Sequence, residues 1–417
     1  MIFTKLHLKN WYSFKDCELD LSYPKKIKNN TIPYEFLENF PNIRFKRLVL
    51  ISGANASGKT SFTKILYAIK DFISQGTISN FLEDGLRSED EKISFNVEFI
   101  AAKPIYILDL ARKSKEDIQD YVREVHTLYD HFHSFNVEFD LTQRELKEHC
   151  WKYTYKCIPI KKQDNINSLR EKLEKVDEKS IDRNVIFSTN TKDVNHPDHH
   201  NFDDYYFSSA KNFLSCDIEN KFLKDLNLNK SILERCLKTF DPSIENVSYA
   251  YDQNNQDIPK GFYINFCNNK SLHMNLEGRV EEKRHLLSQG TYEAIKLAKF
   301  LSTVINLPKN RSFTFVLDEN MSHVQCEIEK TMLNLITQKI SNTSQLFYTT
   351  HNYEVLEMNY PIHSYLFIKR DIDGNSEFIK AEDNFKKNDR SIVNYVRNDV
   401  LGTIPDTNLL DEILFED

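Results

Sequence analysis

The sequence of 417 residues lacks several features that would assign it to particular protein classes. Its seven cysteines are scattered and form no CxxC pair, which favours reduced thiols over a disulfide framework or a thiolate metal site. No uninterrupted apolar run approaches the length of a membrane span, and the first ten residues lack the apolar core of a signal peptide. We therefore expect a soluble, cytoplasmic protein with no membrane partner.

An excess of positive charge is also missing. Lysine and arginine number 55 against 62 aspartates and glutamates, which gives a net charge of −7. This balance excludes a uniformly basic nucleic-acid-binding protein but leaves a local basic groove open. Glycine is scarce as well, with nine in the chain, so a cluster of glycines indicates a local demand on the backbone.

One such cluster lies at residues 53–60, where Gly-Ala-Asn-Ala-Ser-Gly-Lys-Thr fits GxxxxGK[ST] at every required position. An apolar run typical of a buried strand precedes it, and helical spacing follows it. In this setting backbone N–H groups and a helix N-terminus surround a phosphate. Lys59 would contact the β- and γ-phosphates, and Thr60 would offer its hydroxyl to Mg²⁺. The predicted nucleotide-binding residues are Gly53, Ala54, Asn55, Ala56, Ser57, Gly58, Lys59 and Thr60.

A pair of acidic residues, Asp318 and Glu319, ends the apolar run 313–317. Alone, such a pair usually marks a strand end that meets solvent. Together with a phosphate loop it predicts that Asp318 holds Mg²⁺ through water and that Glu319 polarises the attacking water. The two motifs together predict ATP hydrolysis with Mg²⁺ as cofactor.

Two further motifs, a signature sequence and a histidine, accompany the phosphate loop and the acidic pair. Leu-Ser-Gln-Gly-Thr at 287–291 precedes helical spacing at 292–305, and His351 follows the apolar run 346–349. Alone, Ser288 would be an ordinary helix N-cap and His351 a structural residue. With all four motifs in this order, the chain resembles the heads of ABC-type ATPases of the RecF, SMC and OLD classes. Transporter subunits usually have Gly-Gly-Gln where this chain has Gln-Gly-Thr.

The resemblance implies roles for these residues. In that family the signature serine and glycine, here Ser288 and Gly290, bind the γ-phosphate held by the opposite subunit. Two heads of a homodimer thus enclose two ATP molecules. His351 takes the place of the switch histidine, which contacts the γ-phosphate and would act with Lys59 and Glu319 in catalysis. The Mg²⁺-contacting glutamine of the family is left open between Gln75, Gln119 and Gln143.

A narrower resemblance extends over nearly the whole chain. It is carried by the phosphate loop and the signature, by NWYSFKDCELDL near the start, and more weakly by NYVRNDVLGTIPD near the end. These segments are similar to a bacterial family of stand-alone ABC-type ATPases. Such proteins act with an effector encoded alongside them, in anti-phage, abortive-infection and overcoming-lysogenisation-type systems. The resemblance therefore implies a protein effector as partner.

The organisation of the chain follows from its periodicities. Strands alternating with helices predict a largely parallel sheet, and alternation of period two between 92 and 157 predicts antiparallel strands. We predict an α/β fold, with an ABC-ATPase head of mixed, largely parallel sheet, an antiparallel β-subdomain and an inserted α-rich lobe. Residues 1–110 and 241–417 would form the head, and residues 111–240 the lobe, with helices at 168–176 and 213–240.

Three functions remain open. The chain could be a nucleotide-gated dimeric switch that controls an effector, a DNA repair or recombination ATPase that clamps DNA, or a nucleotide sensor without hydrolysis. The acidic balance and the absence of a coiled coil favour the first, and the intact acidic pair argues against the third. We expect the lobe to carry partner recognition, with nucleic acid left open. Candidate contacts there are Lys161 and Lys162, and a weak zinc candidate is the group His196, His199 and His200.

Overall fold

The structure is a computed structural model. It describes residues 1–23, 32–75, 79–85, 92–102, 105–106, 129–140, 150–176, 205–206, 213–215, 228–252, 255–280, 284–307, 309, 312–385, 392–404, 411 and 413. Among these residues no helix combines the length and the hydrophobicity needed to cross a lipid bilayer.

The strands, in chain order, are β1 (Ile2–Trp11), β2 (Phe14–Asp20), β3 (Phe36–Leu37), β4 (Phe40–Arg44), β5 (Leu48–Ser52), β6 (Ile93–Ala101), β7 (Ile105–Tyr106), β8 (His131–Asp140), β9 (Cys150–Pro159), β10 (Tyr205–Tyr206), β11 (Phe213–Ser215), β12 (Ile244–Asp252), β13 (Asn255–Phe266), β14 (Ser271–Asn275), β15 (Thr314–Asp318), β16 (Gln345–Thr349), β17 (Tyr365–Arg370) and β18 (Ser376–Lys380). The α-helices are α1 (Lys59–Gln75), α2 (Asn80–Glu83), α3 (Ile166–Glu174), α4 (Lys230–Phe240), α5 (Gln289–Asn306), α6 (Cys326–Lys339), α7 (Ala381–Asn384) and α8 (Ile392–Arg397).

A central sheet of six strands has the order β11-β15-β16-β5-β17-β18. Its first five strands are parallel, and β18 returns antiparallel to β17. Every residue of β5 and β16 is buried, because helices or a second sheet cover both faces. The carboxyl ends of the parallel strands meet at one edge, and ligands of open α/β sheets bind outside that edge.

A second sheet, antiparallel, has the order β2-β1-β6-β8-β9 and packs with α1 on one face of the central sheet. In β6, buried residues alternate with partly exposed ones, as expected for a sheet with one face in the core. Phe72 of α1 joins the layers through edge-to-face contacts with Phe95, Phe135 and Phe139. The other face of the central sheet packs against α5, α6 and the β12-β13-β14 sheet.

The main sequence expectations for the fold are confirmed. The apolar run before the phosphate loop corresponds to β5, and the helical spacing after it corresponds to α1. The largely parallel sheet and the antiparallel strands between 92 and 157 are both present.

The α-rich character of the lobe is not confirmed. The described parts of 111–240 contain β8, β9, β10 and β11 beside helices α3 and α4, and β8 and β9 extend the sheet of β1. The helix expected over 213–240 is wrong at its start, where β11 pairs in parallel with β15, and α4 begins at Lys230. A short apolar run fits a buried strand or a helix equally well, and periodicity cannot separate them. The division at residues 110 and 240 stays a prediction.

Candidate functional site

The segment between β5 and α1 adopts a tight conformation. Ala56 and Gly58 have φ of +60° and +115°, in the left-handed region. The amide of Phe62 donates to the carbonyl of Gly58 at 2.9 Å. The amides of the residues before Phe62, at the start of α1, have no acceptor within the helix. They can therefore bind an anion at the positive end of the helix.

Two residues of the β17–β18 hairpin support this loop from behind. Ser376 Oγ donates to the carbonyl of Ser57 at 2.5 Å, and Arg370 Nη1 donates to the carbonyl of Ala56 at 3.0 Å. A Cβ on Gly58 would lie 2.7 Å from Ser376 Oγ. Position 58 therefore requires glycine for its backbone angle and for space.

Lys59 lies under the loop, with only 4% of its surface exposed. Its Nζ donates to the carbonyls of Gly53 at 2.9 Å and Ala54 at 3.1 Å. The same Nζ lies 3.2 Å from Glu319 Oε1. The phosphate-loop motif and the acidic pair are far apart in sequence. The ion pair between Lys59 and Glu319 brings them into contact.

Glu319 is held at the edge of the sheet by its neighbour strand. It has φ of +52°, and its amide donates to the carbonyl and the hydroxyl of Thr349, at 3.2 and 3.0 Å. A non-glycine residue in the left-handed region costs about 1–3 kcal/mol and persists where its surroundings fix it. Glu319 Oε2 lies 3.7 Å from His351 Nδ1. Glu319 therefore stands between Lys59 and His351.

A cavity of about 850 Å³ opens beside the loop, within the size range of ligand sites. Its wall comprises Tyr12, Ser13, Asn55, Ala56, Gly58, Lys59, Thr60, Ser61, Asp84, Gly85, Glu319, Arg370, Asp373 and Gly374. Burial, and secondly the charge of Asp84, raise the pKa of the Tyr12 hydroxyl to about 12. The hydroxyl therefore remains a neutral donor at neutral pH.

Two oxygen-bearing side chains, one on the wall of this cavity and one next to its lining residue Glu319, suit Mg²⁺ bound together with phosphates. Thr60 is exposed on the cavity wall, and Asp318 Oδ1 accepts from Thr349 Oγ1 at 2.6 Å, beside Glu319. The described residues include no cluster of three or more His, Cys, Asp or Glu that could hold a metal by themselves. Mg²⁺ commonly uses one or two protein oxygens plus substrate phosphates, so Thr60 and Asp318 fit that chemistry.

A buried hydroxyl of the loop also lacks a hydrogen-bonding partner in the described structure. Ser57 Oγ accepts and donates no hydrogen bond there, although Ser57 is buried. Such groups usually have a partner, which can be a bound ligand. The orphaned hydroxyl is consistent with a polar ligand in the loop.

The signature residues lie apart from this cavity. Ser288 caps α5, with its Oγ accepting from the amide of Thr291 at 3.0 Å, and Thr291 Oγ1 donates to Asp241 Oδ2 at 3.1 Å. A Cβ on Gly290 would lie 3.3 Å from the carbonyl of His323, in the segment after Glu319. Among the described residues that line the cavity, neither Ser288 nor Gly290 occurs.

His351 borders a second cavity of about 380 Å³. Asp318, Glu319, Lys59 and His351 are thus brought together at one edge of the central sheet, while Ser288 and Gly290 are not. The three candidate glutamines remain open, because Gln119, Gln143 and the side chain of Gln75 lie outside the described part of the chain. The same is true of the histidine group at 196–200.

No protein-family model matches the chain, and no curated protein matches it. The chain is similar to solved SMC heads. An SMC head domain from Thermotoga maritima has 13% identity and a TM-score of 0.39, with 91% of this chain and 99% of that chain covered.

An SMC head bound to the C-winged helix domain of ScpA has 13% identity and a TM-score of 0.43, over 92% of this chain and 100% of the other. An SMC head with an extended coiled coil, bound to the C-terminal domain of ScpA derived from Pyrococcus furiosus, has 11% identity and a TM-score of 0.46, over 95% and 99%.

Several residues of the site were not identified from the sequence. Tyr12 and Ser13 form the turn between β1 and β2, and Arg370, Asp373 and Ser376 lie in or beside the β17–β18 hairpin. The Asp-Gly pair at 373–374 is a turn signal that could have located the hairpin. Nothing local indicates that this hairpin supports residues 56–58.

We expect Gly58→Ala to weaken ATP binding by at least about 10-fold, or 1.4 kcal/mol, because its methyl group displaces the loop from Ser376. Fluorescent-nucleotide titration measures the affinity. Gly278→Ala is the matched control, since Gly278 also has a positive φ, of +85°, and does not line the cavity. Equal ATP affinity in the two variants would contradict the prediction.

Proposed function

We propose that the chain binds ATP in the cavity beside residues 53–60 and hydrolyses it, as an ABC-type ATPase. The observation that carries the proposal is the contact between Lys59 and Glu319. It joins a phosphate-binding lysine to a carboxylate that also lies 3.7 Å from a histidine. Lys59 supplies a positive charge, Glu319 an acceptor for a proton and His351 a further polar side chain. These three groups at one edge of the sheet suit phosphoryl transfer to water.

In the proposed mechanism the amides at the start of α1 and Lys59 bind the phosphates. Mg²⁺, held through Thr60 and Asp318, would neutralise charge on the phosphate oxygens. Glu319 orients the attacking water and accepts its proton, and its backbone angle fixes the carboxylate at the strand edge. His351 lies 3.7 Å from the carboxylate oxygen of Glu319 that does not contact Lys59, and it would contact the γ-phosphate.

The proposal includes a homodimer in which a second copy completes each site. Ser288 and Gly290 open α5 outside their own chain's cavity, and the N-terminus of a helix attracts phosphate. A two-fold axis would let each copy present this helix to the other's nucleotide. ATP would then be part of the interface, and its binding would favour the dimer by mass action.

We further propose that this ATP-dependent dimer is a switch that controls a protein effector in bacterial anti-phage defence, in the cytoplasm. The support is the resemblance of the motifs to stand-alone ATPases of such systems, together with the acidic balance of the chain. The alternative is a DNA repair or recombination ATPase of RecF or SMC type that clamps DNA. Both functions use the same ATP site and differ in the surface that contacts the partner.

Lys59→Ala should weaken ATP binding by about 10-fold or more, because a charge-assisted contact with phosphate is lost. Glu319→Gln should keep ATP affinity and lower kcat by about 100-fold or more, because the proton acceptor is removed. Phosphate release and nucleotide titration separate the two effects. Lys64→Ala, on the same helix outside the cavity, is the control. Normal turnover by Glu319→Gln would exclude this catalytic role.

Glu319→Gln should dimerise when Mg-ATP is added, and Ser288→Arg in that background should stay monomeric, because the larger cation obstructs the helix N-terminus. Light scattering with and without ATP measures the mass. Ser271→Arg places the same change on an exposed strand end elsewhere and should leave dimerisation intact. If ATP does not change the mass of Glu319→Gln, and the Ser288→Arg and Ser271→Arg variants behave alike, the proposed two-fold dimer around ATP is contradicted.

Lys161→Glu with Lys162→Glu should abolish capture of a partner while leaving ATP hydrolysis unchanged, since both lysines are exposed after β9 and away from the cavity. Affinity purification from the native source with mass spectrometry identifies what is lost. Lys270→Glu on the β13–β14 turn is the control. A nucleic acid would dissociate steeply with rising salt, because its phosphate contacts release counterions, whereas the binding of a protein effector would depend less on salt. Capture unchanged by the double variant would assign recognition to another surface.

A further inference from the structure

A buried carboxylate beside His351 has no place in the mechanism above. Glu329 lies in the first turn of α6 and is 2% exposed. Its Oε1 accepts hydrogen bonds from the Tyr348 hydroxyl and from Thr350 Oγ1, the latter at 3.0 Å. Its Oε2 accepts from Asn352 Nδ2 at 2.8 Å. Burying a carboxylate is costly unless hydrogen bonds compensate, and here all three donors come from one short segment.

These donors flank His351 on both sides. Thr350 precedes the histidine and Asn352 follows it, while Tyr348 fixes the strand before them. The network continues along the backbone, because Thr350 Oγ1 accepts from the amide of Asn352 at 3.0 Å and Asn352 Oδ1 accepts from the amide of Glu354 at 3.1 Å. Glu329 is thus the common acceptor that holds residues 350–354 in one arrangement.

His351 itself is held less firmly. Its side chain is 48% exposed, and the contact with Glu319 at 3.7 Å exceeds hydrogen-bond length. The position of its ring therefore depends on the backbone of its two neighbours, which Glu329 anchors to α6. The segment that begins at Glu319 leads directly into α6. Through its hydrogen bonds, Glu329 therefore connects the residues beside His351 to the helix that follows Glu319, the proposed base.

We propose that Glu329 is the positioning residue for His351 and that it sets the distance between His351 and Glu319. The inference rests on the proposed ATP hydrolysis. A carboxylate in the first turn could instead serve only to stabilise the helix N-terminus. Glu327, exposed in the same turn, offers that electrostatic effect and is the matched control.

The hydrogen bond between Glu329 and Asn352 can be reversed by exchange. In Glu329→Gln the new amide group would face the Asn352 amide, two donors opposite each other. In Asn352→Asp two carboxylates would face each other. The double variant Glu329→Gln/Asn352→Asp restores one donor and one acceptor with the total charge unchanged, and Asp at 352 keeps an oxygen for the Glu354 amide.

Each single variant should lower kcat for ATP by about 10-fold with little change in KM, because misplacing a catalytic group affects the transition state more than binding. The double variant should return to within about 3-fold of the parent. Glu327→Gln should match the parent. In a His351→Ala background, Glu329→Gln should have no further effect, since it acts through the histidine.

A double variant no better than the singles, or an equal loss with and without His351, would overturn the proposal. Hydrogen exchange at the amides of Asn352 and Glu354 gives a readout that needs no hydrolysis. It should accelerate in Glu329→Gln and recover in the double variant. If the parent protein hydrolyses no ATP, the proposed function fails, and unchanged exchange in Glu329→Gln would separately overturn the positioning role.

Discussion

The candidate site depends on the alignment of three parallel strand ends. Ile51 of β5 lies opposite Thr349 of β16, which lies opposite Asp318 of β15. Because parallel strands in register end at one edge, the phosphate loop, the acidic pair and His351 all leave the sheet at the same level. A shift of one residue in any of these pairings would turn the side chains to the other face.

Thr349 converts this alignment into fixed geometry. Its carbonyl and hydroxyl accept from the amide of Glu319, and its hydroxyl donates to Asp318. The neighbouring residues point to the opposite face, where Tyr348 and Thr350 contact Glu329. The end of β16 therefore positions the two carboxylates on one side and the segment around His351 on the other. Thr349 and Thr350 are polar although they are buried, because their hydroxyls make these contacts.

The parts of the site that the sequence could predict are those whose chemistry requires adjacent residues. A loop that wraps a phosphate needs its glycines, Lys59 and Thr60 at fixed spacing, so they form a motif. Ser376 and Arg370 act by contacting backbone carbonyls across the fold, and no residue type or spacing marks that role. β11 is too short for its periodicity to distinguish a strand. The sequence does contain a signal for Glu329. It lies on the same helical face as Met332, Leu333 and Ile336, where an apolar residue is expected.

The position of β5 in the sheet has a consequence for the order of folding. It lies between β16 and β17, and the hairpin that supports residues 56–58 follows β17. Residues 48–58 therefore cannot reach their final conformation during synthesis until the chain has been made to about Ser376. Until then a strand that is fully buried in the final fold lacks both neighbours, and closing such long loops is slow. Nucleotide binding is thus acquired late in folding, and a chain cut short before β18 would carry the whole phosphate-loop motif without a loop able to use it.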